Sequence, residues 1–110
     1  MKNRLHFDRA TLNFRLNNDE IILHRLLTYA KAHLHSFPMK LEEHIRNKNL
    51  VAIKGEALFM KKTAVSCGFD ILTDQISELQ AVERFEENEI IQLHKRMNRE
   101  IAELLPLIAS

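Results

Sequence analysis

Six histidines, one cysteine and fifteen carboxylates are the side chains with which this 110-residue chain could hold a metal, move protons or carry a transferable group. Their spacing does not assemble them. His33 and His35 lie two apart, which on a helix turns their rings roughly 200° from each other, so they cannot share an ion. Glu20 and His24 make a single i, i+4 pair, and His44 and His94 have no Cys, Asp or Glu at ligand spacing. Zinc needs three or four ligands in register, so no metal site and no cofactor are expected. No glycine-rich phosphate loop, nucleophile elbow or paired-carboxylate pattern is present. Glu83, Glu86 and Glu87 fall at a loop and a helix start, where the helix dipole accounts for them. The lone Cys67 has no partner for an internal disulfide, which points to a reducing, cytoplasmic setting.

The elements that would position these groups are helices. Two glycines and two prolines are too few for a many-stranded β fold, which needs a turn every ten residues or so. Length and composition indicate one domain over residues 1–110, all-α. Asp8 is a candidate N-cap for a short first helix that carries Leu12 and Leu16 inward, and Asn17-Asn18-Asp19 ends it. Leu23, Leu27, Ala30, Leu34, Phe37, Leu41 and Ile45 keep one helical phase, which predicts a single helix from Asp19 to about Asn47, kinked near Pro38. The alternative is two helices with Ser36 as the second N-cap. A third helix spans about Leu50 to Ser66 with Ile53, Ala57, Met60 and Ala64 inward, closed by Gly68. A fourth, about Asp70 to Val82, buries Leu72, Ile76 and Leu79. The last, about Glu87 to Leu107, buries Ile90, Leu93, Met97, Ile101, Leu104 and Ile108. Short connections make successive helices antiparallel neighbours, so the expected architecture is an up-down antiparallel four-helix bundle with a short N-terminal helix.

No apolar run approaches the eighteen residues that a membrane span needs, and Met1-Lys2-Asn3-Arg4 leads into charged sequence rather than an apolar leader. A net charge of +1 gives no global attraction to nucleic acid or membrane, and aromatic residues do not interleave with the basic ones. Partners must be selected by local patches. On the third helix, Val51, Lys54, Leu58, Lys61, Lys62 and Val65 fall on an arc turned away from the core, with Leu58 near its middle. A lone exposed leucine needs no explanation by itself. One framed by three ammonium groups suits a partner that brings apolar surface and carboxylates together. Phe59 is expected to pack against the N-terminal segment or to widen this patch.

The segment Asn49-Leu50-Val51-Ala52-Ile53-Lys54-Gly55-Glu56-Ala57-Leu58-Phe59-Met60-Lys61-Lys62-Thr63-Ala64-Val65-Ser66-Cys67-Gly68 resembles the signature helix of histidine phosphotransfer (HPt) domains. That signature runs Ala-His-x-Leu-Lys-Gly-Ser/Ala-Ala and then a few residues to a glycine. Ala57, Lys61, Ala64 and Gly68 match outright, and Met60 and Thr63 are conservative replacements. Upstream, Phe7-Asp8 and Asn18-Asp19-Glu20 resemble the family's opening. Downstream, Leu72-x6-Leu79-Gln80 resembles the helix that follows.

Two departures bear on function. Leu58 stands where the family's phospho-accepting histidine would be, and leucine has no nucleophilic atom. Lys62 stands where the family usually has the glycine that admits a receiver domain. Lys61 matches the family's basic residue beside the phosphohistidine. The resemblance therefore implies a non-enzymatic, pseudo-phosphotransfer module of two-component signalling. Lys54, Leu58, Phe59, Lys61, Lys62 and Val65 would bind a response-regulator receiver domain or a histidine kinase. Two alternatives remain open: an active phosphotransfer protein that uses another histidine, or a helical module for dimerisation or assembly. His24, His44 and His94 all lack the lysine three residues on that accompanies the family's active histidine.

Overall fold

Side-chain caps set the start of the first three helices. The structure, a computed structural model, describes residues 5–109. Helix α1 (Arg9–Arg15) follows Asp8, whose carboxylate accepts from the Thr11 amide at 3.2 Å and the Thr11 hydroxyl at 2.7 Å. Asn17 and Asn18 are both left-handed, with φ of 56° and 57°, a conformation asparagine tolerates better than most residues. This pair turns the chain into α2 (Glu20–Arg46), where Asp19 accepts from the amides of Ile21 and Ile22 at 3.1 Å. Asn49 caps α3 (Leu50–Cys67) by accepting from the Ala52 amide at 3.1 Å. Gly68, with φ of 74°, closes that helix, and the Phe69 amide donates to the Ala64 carbonyl at 2.9 Å. Helices α4 (Asp70–Gln80) and α5 (Glu87–Ile108) start without a side-chain cap, each with carboxylates in its first turn. Every regular element among the described residues is α-helical.

Pro38 lies inside α2, and the helix continues through it, so the two-helix alternative is not adopted. Magnitudes explain why. An internal proline costs about 3 kcal/mol. Full burial of Phe37 and Leu41 on either side of it returns roughly 3–6 kcal/mol together. The bounds otherwise differ from the sequence expectation at five ends: Asp19 and Asn47 are the caps of α2 rather than its first and last residues. Helix α4 stops at Gln80, and Val82 is buried in the connection that follows; α3 and α5 each run one residue further, to Cys67 and Ile108.

Helix α2 packs against α3 and α5, α4 packs against the same two, and α1 rests on α2. Every residue of the expected inward stripes on α2 to α5 is buried. Leu12 of α1 is buried too, while Leu16 stays half-buried against the core. Ahead of α1, the Phe7 ring stands edge-on to buried Phe69 at 5.5 Å between centroids, and the Leu5 carbonyl accepts from the Ile71 amide. No helix among the described residues is long and apolar enough to cross a membrane.

Candidate functional site

Helix α3 is apolar on two sides. Its inner stripe of Ile53, Ala57, Met60 and Ala64 is fully buried. On the outer side Val51, Leu58 and Val65 are 84%, 52% and 53% exposed. Their spacing of seven residues aligns them along the helix to within about 20° per step. Gly55 lies between the first two, with no neighbouring atom where a Cβ would stand. Glycine in mid-helix costs about 1 kcal/mol relative to alanine, and nothing among the described residues requires it.

Lysines frame the row unequally. Lys62 is exposed and Lys54 is half-buried, and neither pairs with a carboxylate among the described residues. Lys61 is tied to α4, its Nζ donating to Gln80 Oε1 at 3.2 Å. The expected trio of ammonium groups is thus two lysines without an ion-pair partner among the described residues and one held at the edge of the face. At the far end Val65 borders a small groove of about 250 Å³ with Leu5, Thr11 and Arg15, where Arg15 also donates to the Ser66 carbonyl at 3.3 Å.

Among the described residues the N-terminal Phe7 pairs with Phe69, and the ring partner of Phe59 is His33 on another helix. Phe59 leans on α2: its ring stands edge-on to His33 at 4.7 Å, and the other side of the trio is Tyr29, 5.9 Å from His33. His33 is buried and shares a 2.9 Å hydrogen bond through Nδ1 with buried Thr63 Oγ1. Burial holds this imidazole below its ordinary pKa, partly opposed by the Glu56 carboxylate and reinforced by Lys40. It is a neutral, structural histidine at the α2–α3 seam.

The remaining histidines are dispersed. His24 and His35 are exposed on α2. Half-buried His44 lies 3.5 Å from Glu56, and His94 Nε2 donates to the Pro38 carbonyl at 3.2 Å. His6 Nδ1 donates to both oxygens of Glu100, at 2.8 and 2.7 Å. That carboxylate is only 5% exposed, and its hydrogen bond raises the His6 pKa. Cys67 is buried, which pushes its thiol up to about 11 and makes it a poor nucleophile. Among the described residues no group of three His, Cys, Asp or Glu side chains is placed to hold a metal ion.

Sequence reasoning missed three buried polar residues. Glu100 falls at the three-and-four spacing of Leu93, Met97 and Leu104, so its place on the inward stripe was readable. His33 and Thr63 are thirty residues apart, and no local signal joins them. No protein-family model, no curated protein and no solved structure matches this chain.

Proposed function

We propose that the chain is a degenerate HPt domain, a cytoplasmic up-down antiparallel four-helix bundle that binds a response-regulator receiver domain without carrying phosphate. The closed circuit of contacts from α2 through α3, α4 and α5 back to α2, with α1 at one side, supports the bundle. One observation carries the functional reading. Leu58, at the position of the family's phospho-accepting histidine, is half-exposed at the centre of an apolar row on α3, beside Lys54 and Lys62, neither of which pairs with a carboxylate among the described residues.

The chemistry follows from these side chains. A receiver presents carboxylates around its phosphorylation site, and the lysines steer it by long-range attraction that weakens with salt. Leu58 and its neighbours then exclude water over the contact and set the residence time. Because leucine can accept no phosphoryl group, the bound receiver keeps its phosphate. The outcome is sequestration, competition with a true phosphotransfer protein, or scaffolding. A histidine kinase that presents a similar acidic and apolar surface is the other partner of this class.

Purified receiver domains incubated with the immobilised chain test this reading. Retention that Leu58→Asp abolishes and rising salt weakens is the expected result. Acid-labile phosphate appearing on the chain itself would overturn it. Leu58→His combined with Lys62→Gly, which restores the family's residues at both departures, is expected to gain phosphorylation from a phosphorylated receiver.

A further inference from the structure

Helix α1, the first half of α2 and the end of α5 enclose a cavity of about 810 Å³ that no residue of α3 lines. Small-molecule sites typically measure about 300–1,000 Å³. The floor is hydrocarbon, made by the core residues Leu23, Leu27 and Ile108 with Ala10 of α1 beside them. The rim is mostly donors. Lys31 and His24 are exposed and pair with no carboxylate among the described residues, and Thr28 lies between them on α2. Arg9 is held at the α5 end, donating to the Ile108 carbonyl at 3.5 Å. The one carboxylate of the lining is Glu20, so with His24 neutral Arg9 and Lys31 leave a net positive charge. We propose that this cavity binds a free medium-chain acyl carboxylate, with its hydrocarbon along Leu23, Leu27 and Ile108 and its carboxylate at Lys31.

Charge and length select this ligand. Leu23 and Lys31 are eight residues apart on α2, about 12 Å along its axis, which separates tail from head group by an extended acyl chain. Glu20 lies eleven residues before Lys31, about 16 Å away, and repels a carboxylate from the start of α2. Asn13 lines that same end: its Nδ2 donates to Asn18 Oδ1 at 3.2 Å, and its own Oδ1 is buried without a donor among the described residues. Acceptors therefore gather at one end and cations at the other, which fixes the ligand's direction. An apolar peptide ending in a carboxylate offers the same head group. Its backbone N–H and C=O groups would lie unpaired on a floor of aliphatic side chains, a cost that methylenes do not carry. The site needs no receiver and is independent of the docking face on α3.

Calorimetric titration of the full chain with octanoate, hexanoate, octanol, octylamine and N-acetyl-trileucine tests the assignment. Octanoate is expected to bind saturably at one site, roughly tenfold tighter than hexanoate, because two more methylenes are buried. Lys31→Gln should weaken octanoate about threefold, and Glu20→Gln should strengthen it by a smaller factor, as exposed charges do. Both residues are exposed, so neither change threatens the fold. Ala10→Phe, at an exposed position of α1, fills the cavity and should abolish binding with helicity retained. Octanol or octylamine binding as tightly as octanoate would overturn the selection for an anion. The acetylated peptide matching octanoate would overturn the acyl assignment. No saturable binding, or octanoate affinity unchanged in both Lys31→Gln and a folded Ala10→Phe chain, would remove the site.

Discussion

Helices α3 and α5 lie in the same fold and bury comparable apolar stripes, yet their outer faces differ. Four of the seven exposed residues on α3 are large and apolar: Val51, Leu58, Phe59 and Val65. On α5 only Leu107 is, out of eleven exposed residues. The chain can therefore cover a long helix with charge and amide groups, and on α3 it does not. Helix α2 also exposes four large apolar residues, Ile21, Ile22, Tyr29 and Met39, but over a longer stretch; exposed apolar surface gives the isolated domain no stability, and its density on α3 suits something that covers it. The contrast also locates where mutations should act on folding and where they should act on binding.

The largest effect expected is on folding, at the inner side of α3. Met60→Ala removes a fully buried side chain and should cost about 2–5 kcal/mol in denaturant unfolding, whereas Leu58→Ala two residues earlier should cost well under that. Equal losses would erase the distinction between the two sides of the helix. Next comes binding. Leu58→Asp should weaken receiver binding by about 2 kcal/mol or more, and Leu107→Asp on α5 should leave it unchanged when both are measured by calorimetry.

Two histidines give the third effect, with opposite signs. His33 has a folded pKa below its unfolded value because burial disfavours its charge. The unfolded chain then binds more protons just below pH 6.5, so stability falls as pH drops through that window. His6 has a raised folded pKa through its bond to Glu100, so its contribution is full below about pH 6.5 and disappears as pH rises through the raised value. Thermal melts across pH 5 to 8 should show His33→Gln flattening the acid side and His6→Gln flattening the other. The smallest effect sharpens the comparison most. Gly55→Ala should stabilise the isolated chain by about 0.4–1 kcal/mol, because alanine fits there without contact and favours helix. The same change should weaken receiver binding if the partner approaches the backbone at that point.

Periodicity alone was enough to find the inward stripes of α2 to α5, because burial of one face at 3.6 residues per turn leaves a regular trace from Leu23 to Ile108. The outward placement of Leu58 and Val65 followed from the same projection. What the sequence concealed are relations between helices. The turn of Phe59 toward α2 depends on His33, and the capture of Lys61 by Gln80 depends on how α4 lies beside α3. The spacing of Glu100 was readable, but its partner was not: a carboxylate on a core stripe conflicts with the usual cost of buried charge until His6 is brought to it from ninety-four residues away. Pro38 was ambiguous because its local penalty and the burial of its neighbours are of similar size.

Amide chemical-shift mapping of the labelled chain with an unlabelled receiver domain tests the central claim most directly. The account expects changes concentrated on the outer side of α3 from Val51 to Val65, with α5 silent. Changes centred on α5 or α1, with the Leu58 region unaffected, would contradict it.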